Sequence, residues 1–183
     1  MWSLARNSKQ IVTAFAILLT PLAARADDLA ALYAQLADPA NEAWAAVEAD
    51  ILRIWSQSGS PAMDLLLKRG EAALDAGDTA AAIGHLTALT DHDPHFAAGW
   101  ATRASAFYMA GQPGPAIDDI GRALVLEPHH FAALTLLGTI FDEAGAPDRA
   151  LAAFEASLTL HPHQQEALDA VARLRQARDG IAL

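Results

Sequence analysis

The chain has 183 residues, of which 22 are acidic and 12 are basic, so its formal charge is −10 at pH 7. A protein this acidic repels the phosphate backbone of nucleic acids, which makes them poor partners. The chain contains no cysteine, so disulfide bonds are excluded and packing alone must hold the fold.

Residues 1–26 have the pattern of a secretory signal peptide. Two basic residues precede an apolar stretch over residues 11–19, and Ala24 and Ala26 are small residues suited to a cleavage site. An uncleaved anchor is the alternative, but a membrane span needs about 20 apolar residues and this run is shorter. Cleavage predicts a mature chain that begins at Asp27 and cannot insert stably in a membrane.

Export through this signal also changes the expected charge and location. The signal carries three of the twelve basic residues and no acidic one, so the mature chain has a charge of −13. We expect the bacterial periplasm as its destination, with release from the cell as the alternative.

Residues 27–59 are predicted to form a helical pair that packs on the rest of the protein. A proline in the Asp38-Pro39 step separates a helix over residues 29–37 from one over residues 41–55. Apolar residues recur at helical spacing on one side of the second helix; they are Trp44, Val47, Ile51 and Trp55.

Residues 60–164 repeat the same residue types at a step of 34 residues, which predicts copies over residues 63–96, 97–130 and 131–164. Prolines end each copy at Pro94, Pro128 and Pro162. Glycines suited to a left-handed helix end are Gly77, Gly111 and Gly145. Small residues that permit close helix approach are Gly70, Ala104 and Gly138 on first helices, and Ala82, Ala116 and Ala150 on second helices.

All three copies, over residues 62–164, resemble the tetratricopeptide repeat family, and the first copy is the loosest match. The matching residues of the middle and last copies are Trp100, Ala104, Phe107, Ala116, Ile120 and Pro128, followed by Leu134, Leu137, Gly138, Phe141, Ala150, Phe154 and Pro162. Those of the first copy are Leu66, Gly70, Ala73, Ala82, Leu86 and Pro94. The resemblance implies an all-α fold, a right-handed α-solenoid of three stacked antiparallel helical hairpins. Arg69 and Arg103 stand where the family has leucine, so those two faces are expected to be more open than usual.

Residues 165–183 are predicted to form a C-terminal capping helix, since stacked repeats leave an apolar face at each end. Residues 166–178 are amphipathic. The expected inward residues are Leu168, Val171 and Leu174, and the expected outward residues are Arg173, Arg175 and Arg178.

The resemblance also implies a concave groove lined by the first helix of each repeat. The groove positions that it assigns are Asp64, Leu67, Glu71, Leu74 and Asp75, then Ala98, Ala101, Ser105, Tyr108 and Met109, then Ala132, Thr135, Thr139, Asp142 and Glu143. Such a groove suits a peptide with an apolar centre and basic flanks. The alternative is that some of these residues pack against the N-terminal helices.

No catalytic motif is present, because the chain lacks a G-x-S-x-G turn, a cysteine and a phosphate-binding glycine loop. We therefore predict that the protein is not an enzyme and needs no cofactor. Histidines at the repeat junctions could hold a metal or sense pH; they are His92, His95, His129, His130, His161 and His163. Repeat duplication and a position at helix ends are the favoured explanation of these histidines, and metal binding or pH sensing is the alternative.

Two functions remain open from the sequence. The first is a protein- or peptide-binding adaptor or assembly factor of the cell envelope. The alternative is a metal-binding or pH-responsive exported protein that uses the junction histidines.

Overall fold

The computed structural model describes the backbone of residues 20–181 and the side chains of residues 28–180. Over that stretch the chain forms helices and no strand, which confirms the predicted all-α solenoid of stacked helical hairpins. In chain order the helices are α1 (Thr20–Leu36), α2 (Trp44–Trp55), α3 (Pro61–Asp75), α4 (Thr79–His92), α5 (Ala97–Met109), α6 (Pro113–Leu126), α7 (Phe131–Glu143), α8 (Pro147–Leu160) and α9 (Gln165–Ile181).

Most of the predicted signal peptide, residues 1–26, lies outside the described residues. Helix α1 begins at Thr20, so only the backbone of residues 20–26 is described, and cleavage before Asp27 stays a prediction. None of the helices within the described backbone is both long enough and apolar enough to cross a membrane.

The hairpins α3–α4, α5–α6 and α7–α8 each turn at a glycine. Gly77, Gly111 and Gly145 have φ angles of 75°, 71° and 70°, a region that glycine adopts without steric cost. Beside the first of them, the N–H of Asp78 donates to the carbonyl of Ala73 at 2.8 Å, which closes α3 as in a Schellman motif. The predicted glycine caps are confirmed.

In the first and last hairpins the two helices pack closely where the first helix carries a glycine. A Cβ atom on Gly70 would lie 2.5 Å from Cγ of Leu86, and one on Gly138 would lie 2.7 Å from Cδ1 of Phe154. Neither contact is tolerable between carbon atoms. On the second helices, the fully buried crossing residues are Ala82, Ala116 and Ala150.

Arg103 lies where the sequence predicted a face more open than usual, but in the structure its side chain fills that space. Its Nε and Nη2 atoms donate to the two carboxylate oxygens of Asp119 at 2.6 and 2.8 Å, and Nη1 donates to Thr90 at 2.7 Å. The guanidinium also lies 4.8 Å from the centre of the Trp100 ring. The expectation of an open face here was wrong, because a paired and stacked arginine fills the space of a leucine. Arg69 is exposed on α3.

Helices α1 and α2 pack across the turns that connect the repeats. Leu36, Val47 and Ile51 are buried together with Phe131, the first residue of α7. The aromatic side chains of Trp44 and Trp55 join this cluster, which places the N-terminal pair against the α6–α7 turn.

Helix α9 covers the apolar end of the last hairpin. Ala167, Ala170, Val171 and Leu174 are buried against Phe154 and its neighbours in α7 and α8. Leu168 is 41% exposed, so its predicted inward orientation was wrong. The inward face runs through positions 167, 170, 171 and 174, which leaves position 168 on the side of the helix.

Candidate functional site

A continuous groove follows the first helices α3, α5 and α7. It contains two cavities, of about 330 and 320 Å³. Both are lined by Ala132 and Leu136 of α7, so they adjoin at that helix. Cavities of this size lie at the lower end of the range for ligand sites in proteins.

The first cavity is mostly apolar. Its floor combines leucines of α3 and α7 with small residues of α5, namely Leu67, Leu74 and Leu136 with Ala98 and Ala101. The alanines leave room that larger side chains would fill. Leu52 and Trp55 of α2 and the next residue, Ser56, line the same cavity.

The second cavity is more polar. Thr135 donates to Oε1 of Gln164 at 2.8 Å, and Thr139 donates to Oε1 of Glu166 at 3.3 Å. Tyr108 lines this cavity, and its hydroxyl donates to Glu143 at 2.7 Å, a bond that raises the pKa of the tyrosine.

The structure brings most of the sequence-predicted groove residues to these cavities. The first cavity receives Leu67, Glu71, Leu74, Ala98, Ala101, Ser105 and Ala132. The second receives Tyr108, Ala132, Thr135 and Thr139. The predicted residues that line neither cavity are Asp64, Asp75, Met109, Asp142 and Glu143.

Several predicted groove residues have other roles. Leu67, Ala101 and Thr135 are buried, which differs from the exposure expected of them, because the helices pack closely enough to cover these positions. Asp64 accepts hydrogen bonds from the backbone and hydroxyl of Ser58, both at 2.7 Å, and so holds the turn before α3. Asp142 is paired with Arg173 of the capping helix.

The charge of the groove is negative. Glu71 lines the first cavity and Glu48 and Glu166 line the second. Partial burial and the neighbouring Asp75 raise the pKa of Glu71, with Lys68 opposing them. Among the described residues, no lysine or arginine lines either cavity, so the charged groups that a ligand would meet there are carboxylates.

The junction histidines of the last two repeats pack against aromatic residues of the N-terminal pair. His129 stacks on Tyr33 with ring centres 4.1 Å apart, and His163 stacks on Trp44 at 5.2 Å. His130 is held in the same way against Trp55. Within residues 28–180 no three His, Cys, Asp or Glu side chains are grouped to hold a metal ion, and nothing in the geometry favours the metal-binding alternative.

Burial moves the pKa of two of these histidines downwards, away from neutrality. Burial lowers the pKa of His130 to about 4, with Glu127 opposing. Burial also lowers the pKa of His161, against the effect of Glu48. His92 and His95 lie apart from this cluster, at the end of α4 and in the turn after it.

Sequence reasoning missed the contribution of α2 to the groove. Glu48, Leu52 and Trp55 line one or other cavity and follow one another at steps of about one helical turn, and Ser56 lines the first cavity directly after the helix. That spacing is a signal that the sequence contains. It was hidden by the stronger apolar stripe formed by Trp44, Val47, Ile51 and Trp55.

The sequence matches the family model described as tetratricopeptide repeat over residues 67–125 and 102–164. No curated protein matches it. Similar solved structures include the first tetratricopeptide domain of Spaghetti (RPAP3) bound to the HSP90 peptide SRMEEVD, with 24% identity, coverage of 66% of this chain and 95% of that one, and a TM-score of 0.62. The OM64 domain of Arabidopsis has 25% identity, coverage of 63% and 95%, and a TM-score of 0.61. MamA has 24% identity, coverage of 78% and 85%, and a TM-score of 0.61.

Proposed function

The chain belongs to the tetratricopeptide repeat family, and from this membership we propose that its concave groove binds a segment of another protein. The observation that carries the proposal is the open groove along α3, α5 and α7, with an apolar cavity adjoining an acidic one. Binding sites in proteins are usually concave and mostly apolar with a few polar groups at the edge, which is the arrangement found here.

The charge of the groove supports a partner with basic residues around an apolar centre. The structurally similar RPAP3 domain binds the peptide SRMEEVD, which ends in acidic residues. Here Glu71, Glu48 and Glu166 line the cavities instead of basic residues. We therefore expect this groove to reject acidic peptides and to accept basic ones.

We further propose that the protein is an adaptor or assembly factor that works in the cell envelope after export. Support for export comes from the signal pattern of residues 1–26. Support for a scaffold role comes from the family, whose fold is typically a non-enzymatic platform for protein interactions, so we expect no catalysis by this chain.

Site-specific crosslinking in cells tests these proposals. A photo-crosslinking amino acid is placed at Ser105, which lines the first cavity, or at Val125 on α6, which is 78% exposed and outside the groove. We expect discrete adducts from position 105 only, in the envelope fraction, on protein that begins at Asp27. Equal adducts from both positions would contradict the groove. Protein retaining residues 1–26 would contradict cleavage, and protein found outside the envelope fraction would contradict export.

A further inference from the structure

Helix α2 has one face buried against the rest of the protein and another that lines the groove. Val47 and Ile51 are buried against the repeats and α1. One position further along the chain, Glu48 and Leu52 line the groove. Leu52 lines the apolar cavity, and 44% of its surface remains exposed to solvent.

The position of this second face is fixed by contacts at the end of α2. The indole N–H of Trp55 donates to the Tyr33 hydroxyl at 2.9 Å, and its ring stacks on His130 at 4.5 Å. His130 is buried, and its Nδ1 atom accepts the N–H of Ala133 at 3.3 Å at the start of α7. Leu52 is therefore presented from a helix that is tied to the floor of the groove, so the wall exists before any ligand binds.

The cavity beside Leu52 is open to solvent and lined by residues of α2, α3, α5 and α7. Leucines project into it from α2, α3 and α7, while the alanines of α5 leave its centre empty. A volume of about 330 Å³ accommodates one large apolar side chain with part of its backbone. The carboxylate of Glu71 borders the same cavity and makes no ion pair within residues 28–180.

We propose that α2 is part of the binding site. Together with the repeats it forms an anchor pocket for a large apolar side chain of a partner segment, next to a lysine or arginine that pairs with Glu71. This inference rests on the proposed function and adds a residue of α2, Leu52, to the apolar wall that anchors the ligand. Burial of a large side chain between apolar walls supplies affinity, and the adjacent carboxylate supplies selectivity for basic neighbours.

A peptide selected from a displayed library against the purified protein serves as the binding probe. We expect selection from a random library to enrich peptides with a large apolar residue beside Lys or Arg. One enriched peptide, labelled with a fluorophore, is then titrated against variants by anisotropy. Leu52→Asp should weaken binding by at least about tenfold, and Leu52→Ala by several-fold, since both remove the apolar wall.

The control is Val125→Asp, which introduces the same charge at an exposed site outside the groove and should leave affinity within about twofold.

Ala98→Arg, on the α5 side of the cavity, separates the two proposals. If it abolishes binding while both Leu52 variants bind like wild type, the groove stands and the role of α2 is overturned. If the wild-type protein enriches no peptide, groove binding itself fails, and enriched peptides without basic residues would refute the role of Glu71.

Discussion

Arg103 and Asp119 show how one unusual residue is accommodated inside a repeat. The arginine occupies a leucine position, and its carboxylate partner is only 4% exposed. Sequence reasoning identified the departure at Arg103 but not its partner, because the repeat pattern gives each position a preferred type and no pairing. The bidentate contact with Asp119 depends on how α5 and α6 face each other, and only the three-dimensional structure gives that arrangement.

Removing one member of this pair should be costly. Arg103→Leu restores the family residue but leaves Asp119 buried without a cation, so we expect a loss of about 3–5 kcal/mol in the free energy of unfolding. Arg103→Leu combined with Asp119→Leu should recover most or all of that loss, because no buried charge remains. Urea denaturation measures both, and a single variant as stable as wild type would show that Asp119 is solvated.

Glycines in the helices provide a second residue-scale test. Gly138→Ala places a Cβ atom 2.7 Å from the Phe154 ring, and overpacking of this kind should destabilise the protein by roughly 1–3 kcal/mol. Gly121→Ala is the matched control, since no atom lies within 4 Å of its Cβ, and it should stabilise α6 by about 0.5–1 kcal/mol. Thermal melts that shift in the same direction for both would disprove the assigned helix crossing.

At the scale of elements, the sequence predicted the repeat helices well and the N-terminal pair less completely. The 34-residue period located the turns at Gly77, Gly111 and Gly145, because a left-handed helix end requires a particular residue. The groove-facing residues of α2 and of the turn after it are Glu48, Leu52 and Ser56. One is charged, one apolar and one polar, so their residue types do not indicate a common surface.

The contact of α2 with the α6–α7 turn should weaken in acid. The pKa of His130 is about 4 in the folded protein and about 6.5 when unfolded, so the unfolded chain binds the proton more tightly. Stability from this residue is complete above pH 6.5 and is lost as the pH falls towards 4. The gap between the two pKa values corresponds to roughly 3 kcal/mol.

Chemical denaturation at a series of pH values tests this expectation. His130→Asn removes the titrating group while keeping a side chain that can cap α7, so its stability should fall less between pH 6.5 and pH 4. Part of the acid dependence should remain, because the pKa of His161 is also lowered by burial. An unchanged pH profile in the variant would assign the acid sensitivity to other groups.

For the molecule as a whole, the class of fold was predictable and the arrangement of its ends was not. Three copies of one pattern require stacking, because a single hairpin cannot bury its apolar face. Because the three repeat junctions resemble one another in sequence, the sequence does not indicate at which of them residues 27–59 pack. The aromatic side chains of Tyr33, Trp44 and Trp55 pack at the junctions of the last two repeats, where histidines offer flat rings of matching size.

This packing has a consequence for how the chain can be shortened. A tandem array normally touches only its neighbours, so that either terminus can be trimmed without disturbing the other. Here Trp44, near the beginning, covers His161 and His163, near the end. Deleting the first two helices would strip apolar cover from Phe131 and Leu160. Apolar surface would then be exposed far along the chain from the cut, so the minimal folding unit includes α1 and α2 together with the last repeat.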